Sequence, residues 1–189
     1  MRRQINNVIS VGYSALRMIA LKVVHGKNAD VGLIERISPN VVIELNRGGK
    51  LKLADKVRVH SGSKIKVRKG ADMSLGKEVK VNYNCMFFCH DHIEIGEGVE
   101  FGPNVLVYDH DHDFRHPAGL KAEAYKTGAV VIGKECWIGA NTVILRGTTL
   151  GDNCVVGAGS VIKGNFPAGT VIVQKRDTEI RGGNVRRLS

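Results

Sequence analysis

The sequence predicts an all-β solenoid of stacked short strands, preceded by an α-helix and interrupted by one extended loop. Three observations carry that prediction. Aliphatic residues recur at every sixth position from Ile132 to Ile162; glycine numbers 23 while only 5% of residues are aromatic; and the frame breaks after Val107 for thirteen residues rich in histidine and aspartate. Many short strands joined by glycine turns fit this composition better than a helical bundle.

The frame is most regular at Ile132, Ile138, Ile144, Leu150, Val156 and Ile162, with glycine often one residue later (Gly133, Gly139, Gly151, Gly157). A six-residue strand and turn cannot close a core alone, so units must stack. Three units make one coil of eighteen residues, which places Ile132 on Leu150, Ile138 on Val156 and Ile144 on Ile162. Cys136 and Cys154 fall one coil apart in the small-residue slot and read as packing residues. Upstream, Ile95-Gly96, Phe101-Gly102 and Val107 keep the frame, while Leu53, Val59, Val67, Leu75, Val81 and Phe87 follow steps of six or eight, the longer steps implying corner insertions. Alternation in "KLKLADKVRV" and "KIKV" marks strands with one wet face. These patterns divide the chain into a helical segment over 1–30, a solenoid over 41–173 and a basic tail over 174–189.

In the helical segment, "INNVISVGYSALRMIALKVVHG" sets Ile5, Val8, Ile9, Leu16, Ile19, Ala20 and Val23 near one face. Its interior Arg17 and Lys22 argue against a membrane span. Such a helix packs on the domain or a neighbouring subunit, or lies on a membrane surface with Arg2, Arg3, Arg17 and Lys22 near the headgroups. The formal charge of +10 is uneven: residues 1–92 hold 17 Lys/Arg against 7 acids, residues 93–166 hold 6 against 9. That front suits an anionic partner such as nucleic acid, anionic lipid or a phosphorylated cofactor, or simply a solvated face. Four cysteines without a CxxC pair, and no cleavable signal sequence, favour a reduced cytoplasmic setting.

The loop "VYDHDHDFRHPAG" concentrates titratable groups on an excursion from a rigid frame, where function often resides. If the strand continues through it, His110 and His112 share one face and the aspartates the other. Histidines at strand spacing also bind zinc, so His110, His112 and His116, or His90 and His92, form a rival metal reading.

The segments "IEIGEGVEFGPNVLVYDHDH" and "VVIGKECWIGANTVILRGTTLGDNCVVGAGSVIKGNFPAGTVI" resemble the hexapeptide-repeat acyltransferases, in particular the galactoside and maltose O-acetyltransferases and the O-acetyltransferases of capsular polysaccharides. The resemblance implies a left-handed parallel β-helix assembled as a homotrimer, with active sites between subunits. It implies acetyl-CoA as cosubstrate, no required metal, a carbohydrate acceptor and no nucleic-acid partner. It assigns the general base to His112, and acceptor contacts to Asn82, Asn84, His90 and His110. For CoA it points to Trp137, Ala140 and Ala158 along the pantetheine arm and to Lys163, Lys175 and Arg176 near the phosphates. The family's acidic acceptor contact is replaced here by the region of His90, and the ending "VIVQKRDTEIRGGN" departs from the family pattern. Asp109 or Asp111 is expected to orient an imidazole. A zinc lyase resembling the γ-type carbonic anhydrases, and a non-catalytic scaffold, are the alternatives.

Overall fold

The computed structural model describes residues 2–32 and 35–175, with side chains from residue 11 onward. Each coil donates one short strand to each of three parallel sheets of seven, seven and six strands. The architecture is a left-handed parallel β-helix with an N-terminal helix, α1 (Arg2–His25). The first sheet runs from Ala29–Val31 to Asn165–Phe166, the second from Arg36–Ile37 to Val171–Ile172, the third from Val42–Leu45 to Val161–Ile162. The coils therefore begin upstream of residue 41.

Inward side chains stack in columns. Ile132 sits on Leu150, Ile138 on Val156 and Ile144 on Ile162, as the six-residue frame requires. The third sheet continues the column upstream through Val107, Phe87, Ile65 and Ile43. Cys136 and Cys154 are buried free thiols, and burial pushes the Cys136 thiol up to about 11, so it stays protonated as a packing group. The corner between the second and third sheets repeats a left-handed residue in each coil: Asn84, Asn104 and Asn141 at φ near +58°, then Gly159 at +71°. Their amides bond the preceding corners, Asn104 N–H to Tyr83 O and Asn141 N–H to Pro103 O, both at 2.9 Å. Corners this close also explain Gly139: a Cβ there would fall 2.5 Å from the Ala158 amide nitrogen, against backbone that cannot yield.

A stacked solenoid leaves backbone donors and acceptors unpaired at both ends, and this chain covers them with side chains. At the first coil, the Ser14 hydroxyl of α1 donates to Ile37 O at 3.0 Å and accepts the Ile37 N–H at 2.9 Å. Arg17 adds a bond to Val41 O at 2.8 Å. At the other end, the Gln174 amide stands in for a further strand, accepting from Val161 N–H and donating to Val161 O. These bonds decide which face of α1 turns inward. Ser14 and Met18 are buried with Leu21 beside them, whereas Leu16, Ile19 and Val23, from the apolar face read in the sequence, are exposed at 69%, 48% and 80%. The helix is apolar around most of its circumference, so periodicity alone could not choose. The side chains of Arg2 and Arg3 lie outside the described part. No helix among the described residues is long and apolar enough to cross a membrane.

Glu35, in the turn between the first two strands, is fully buried and neither carboxyl oxygen has a hydrogen-bond partner among the described residues. Burial pushes its pKa up to about 7, against a pull from the Val57 amide and with a push from Asp55. A carboxyl whose folded pKa is raised stabilises the fold only while protonated, so stability is lost as pH rises from about 4.5 through 7. Glu35→Gln is expected to stabilise the protein by about 1–3 kcal/mol at pH 8 and by much less at pH 5. Chemical denaturation at the two pH values measures the difference; an equal effect at both would remove this account.

Candidate active site

In the fourth coil the third sheet contributes the strand Leu106–Tyr108, and after it the chain leaves the solenoid. Residues 110–127 form an antiparallel hairpin in which His110–His112 pairs with Tyr125–Thr127, and the coil resumes with Val130–Ile132. The sequence frame placed the return at 126; Lys126 instead lies within the hairpin, opposite Asp111. Alternation puts Val105, Val107 and Asp109 inward and Leu106 and Tyr108 outward, which drives a carboxylate into the wall of the solenoid.

Asp109 is completely buried and fully engaged. Its oxygens accept the His90 N–H at 2.9 and 3.0 Å, the Asp91 N–H at 2.7 Å, and a bond from His110 Nδ1 at 3.0 Å. Burial alone would raise its pKa; the bonds from His110, the two amides and Cys89 outweigh it and hold the carboxyl below the ordinary range. Burial and the neighbouring Asp109 charge push the Cys89 thiol well up, so this cysteine is no nucleophile. The second carboxylate, Asp111, accepts from Arg146 Nε at 2.5 Å and ties the hairpin to the next coil, while Lys126 binds Asp113 at 3.0 Å. Of the two aspartates expected to orient an imidazole, it is Asp109 that contacts one, at His110 Nδ1.

Four rings gather around this anchor. His90 stacks on His110 with centroids 3.7 Å apart and 28° between planes, and Tyr125 lies 4.3 Å from His90, 5.4 Å from His110 and 4.8 Å from His112. Burial, with the positive potential of its neighbours, pushes the His90 pKa down to about 4, so it is neutral at pH 7. His112 is the exposed member, two hairpin pairs beyond His110 on the same face. His116 sits at the hairpin tip, where its Nδ1 accepts the Ala118 N–H at 3.2 Å, and His92 faces Glu94 at 3.6 Å. Stacked imidazoles turn faces and not lone pairs toward each other, and among the described residues no three His, Cys, Asp or Glu side chains converge as a metal site.

The remaining sequence candidates lie elsewhere. Asn82, Asn84, Ala140 and Ala158 all occupy the corner between the second and third sheets, and Trp137 stands 56% exposed on the outer face of the second sheet. Asn84 has the left-handed corner conformation, and Asn82 Oδ1 accepts the Tyr83 N–H at 2.9 Å. Lys163 and Lys175 are exposed in the last coils, and Arg176 lies outside the described residues. The width of the third sheet, about 13 Å for a four-residue strand, separates the asparagine corner from the histidine corner.

Known proteins place this geometry in context. A family model described as the hexapeptide repeat of succinyl-transferase matches residues 129–163, the stretch of strictest periodicity. The chain is 32% identical over 102 residues to galactoside O-acetyltransferase of Escherichia coli (strain K12), covering 54% of this chain and 50% of that one. These matches support a place for the chain among the hexapeptide-repeat acyltransferases. Nodulation protein L of Rhizobium leguminosarum bv. viciae is 40% identical to this chain over 82 residues, 42% of each. The chain thus spans about half the length of the curated relatives it matches. The crystal structure of AntD, an N-acyltransferase from Bacillus cereus, in complex with dTDP and 3-hydroxybutyryl-CoA, superposes with a TM-score of 0.60 at 20% identity over 81% of both chains, which shows the shared fold.

Proposed function

We propose that this chain is an acetyl-CoA-dependent O-acetyltransferase acting on a sugar or glycan hydroxyl, with His112 as general base. The observation that carries the proposal is the histidine hairpin itself: an excursion rooted on a buried carboxylate, in a chain similar to galactoside O-acetyltransferase. His112 is the histidine of the group that is open to a ligand and not engaged by a carboxylate. His110, held by Asp109, presents Nε2 as an acceptor contact beside neutral His90.

In the reaction, the His112 imidazole takes the proton of the acceptor hydroxyl as that oxygen attacks the thioester carbonyl. A C–O bond forms, the C–S bond breaks, and the imidazolium returns the proton to the departing thiolate. The placement of the candidates suits an assembly of more than one copy. Asn82, Ala140 and Ala158 sit a sheet's width from His112 on the same chain, and a neighbour in a closed ring would set its asparagine corner against this chain's hairpin. A homotrimer with sites between subunits gives that arrangement. On the neighbour, small Ala140 and Ala158 would let a pantetheine arm approach the main chain, Trp137 would flank it, and Lys163, Lys175 and Arg176 would serve the CoA phosphates.

The exposed face of α1, with Leu16, Ile19, Val23 and Val24, beside a basic front, fits a cytoplasmic enzyme held at an anionic inner membrane surface near its glycan. Incubating the protein with acetyl-CoA and a panel of sugars and amino sugars, while recording thiol release and the acylated product, tests the reading. Ester products support it. Exclusive amide products would make the chain an N-acyltransferase, and no thiol release with any acceptor would refute the activity.

A further inference from the structure

Beside the histidines lies a trough of about 540 Å3 lined by Asn46, Arg68, Lys69, His90, Glu123 and Tyr125. Its charges are sorted by position. The end toward the N-terminal coils holds Arg68, whose guanidinium lies 4.9 Å from the Phe88 ring centroid, and Lys66, 5.2 Å from the same ring. A single carboxylate, Glu44, serves both, at 2.9 Å from Lys66 and 3.6 Å from Arg68. Lys69 makes no ion pair or hydrogen bond among the described residues, and Arg47 belongs to the corner stacked directly on that of Arg68 and Lys69, as the Asn46 N–H to Val67 O and Lys50 N–H to Ala71 O bonds show. The hairpin end is different: Glu123 and Tyr125 line the trough with neutral His90, and neither side chain makes a hydrogen bond or ion pair among the described residues. Polar groups left open at one end suit sugar hydroxyls; a surplus of cations at the other suits an anion.

We infer that this trough is a phosphate subsite for the acceptor, so that the sugar acylated at the histidines carries a phosphate held by Arg68 and Lys69. The inference rests on the acyltransferase reading and narrows it from glycans in general to phosphate-linked sugars. Arg68 is suited to the role because stacking on Phe88 fixes its planar fork before a ligand arrives. The phosphate belongs either to a nucleotide-linked sugar or to a polyprenyl-linked one. Strands are spaced about 4.8 Å apart, so the trough lies only a few strands from α1, and both sources place a long group beyond the cationic end.

The test is direct binding by calorimetry with the full chain, using pyrophosphate, UDP-glucose, and phosphatidylcholine vesicles with and without a polyprenyl phosphate. Pyrophosphate is expected to bind in a salt-sensitive way, and the Arg68→Met, Lys69→Met double variant to weaken it at least tenfold. The single variant Lys69→Met, at an exposed position, is expected to weaken it about threefold without any change in folding. Preference for UDP-glucose or for the polyprenyl phosphate vesicles identifies the source. Acetyl-CoA affinity is expected to be unchanged in both variants; a tenfold loss there would reassign the cations to CoA and overturn the inference. So would pyrophosphate binding that ignores both substitutions. Failure of the two readings is separable: binding retained without any thiol release refutes the acyltransferase and spares the subsite, whereas transfer to a neutral sugar with unchanged KM in the double variant does the reverse.

Discussion

His112→Ala is expected to lower acyl transfer by about 10²–10⁴-fold, the range for a removed general base, while leaving folding intact. The imidazole is exposed on the hairpin, its ring contact is with Tyr125, and no core residue rests on it. The loss should fall on kcat, since deprotonation of the hydroxyl matters only as the C–O bond forms. His110→Ala makes the complementary measurement. Its ring is stacked on His90 and bound to Asp109, so its removal is expected to raise KM for the acceptor more than it lowers kcat. If instead His110→Ala abolishes turnover while His112→Ala retains it, the base is the carboxylate-bound imidazole and His112 loses the role.

The contrast between these histidines shows where sequence reasoning reaches. From Ile132 to Ile162 every coil is eighteen residues, no insertion disturbs the stack, and the pairs Ile132–Leu150, Ile138–Val156 and Ile144–Ile162 follow from counting. Earlier coils carry longer corners, so counting alone does not set their pairing: Leu53 reaches Leu75 after 22 residues and Leu75 reaches Ile95 after 20. The inner face of α1 was hidden for another reason, because a single serine hydroxyl, satisfying both polar groups of Ile37, outweighs a larger apolar stripe. The basic trough was also out of reach, since Arg68 and Tyr125 are 57 residues apart and meet only through stacking of coils. Asp109 is the instructive case. Its place in the Val105, Val107, Asp109 alternation was visible in the sequence and pointed inward; the abundance of acids around it concealed that one of them was in the wall.

That wall position makes Asp109→Asn the second substitution of large effect. A carboxylate accepts all four bonds it receives here, whereas an asparagine offers one oxygen and sets its own NH2 against donors on His90, Asp91 or His110. Bonds to a buried charge contribute about 1.5–3 kcal/mol each, and a stranded donor costs about 1–3 kcal/mol, so a loss of about 2–4 kcal/mol at the hairpin root is expected. Because solenoid coils unfold without full cooperativity, the sensitive readout is local. Hydrogen exchange at the His90 and Asp91 amides should accelerate by about 30–1,000-fold, the equivalent of that loss at 1.4 kcal/mol per decade, while amides between Ile138 and Ile162 keep wild-type protection. The wild type should approach the same state in acid. His90, held near pKa 4, resists protonation in the fold, so its contribution is lost as pH falls from about 6.5 toward 4. Asp109, whose pKa is depressed, loses its contribution only below that, as the carboxyl is finally protonated. Acid should therefore loosen the stacked histidines first and the hairpin root second. Unchanged exchange at His90 and Asp91 in Asp109→Asn would mean that the hairpin stands on the Arg146–Asp111 pair and not on the buried carboxylate.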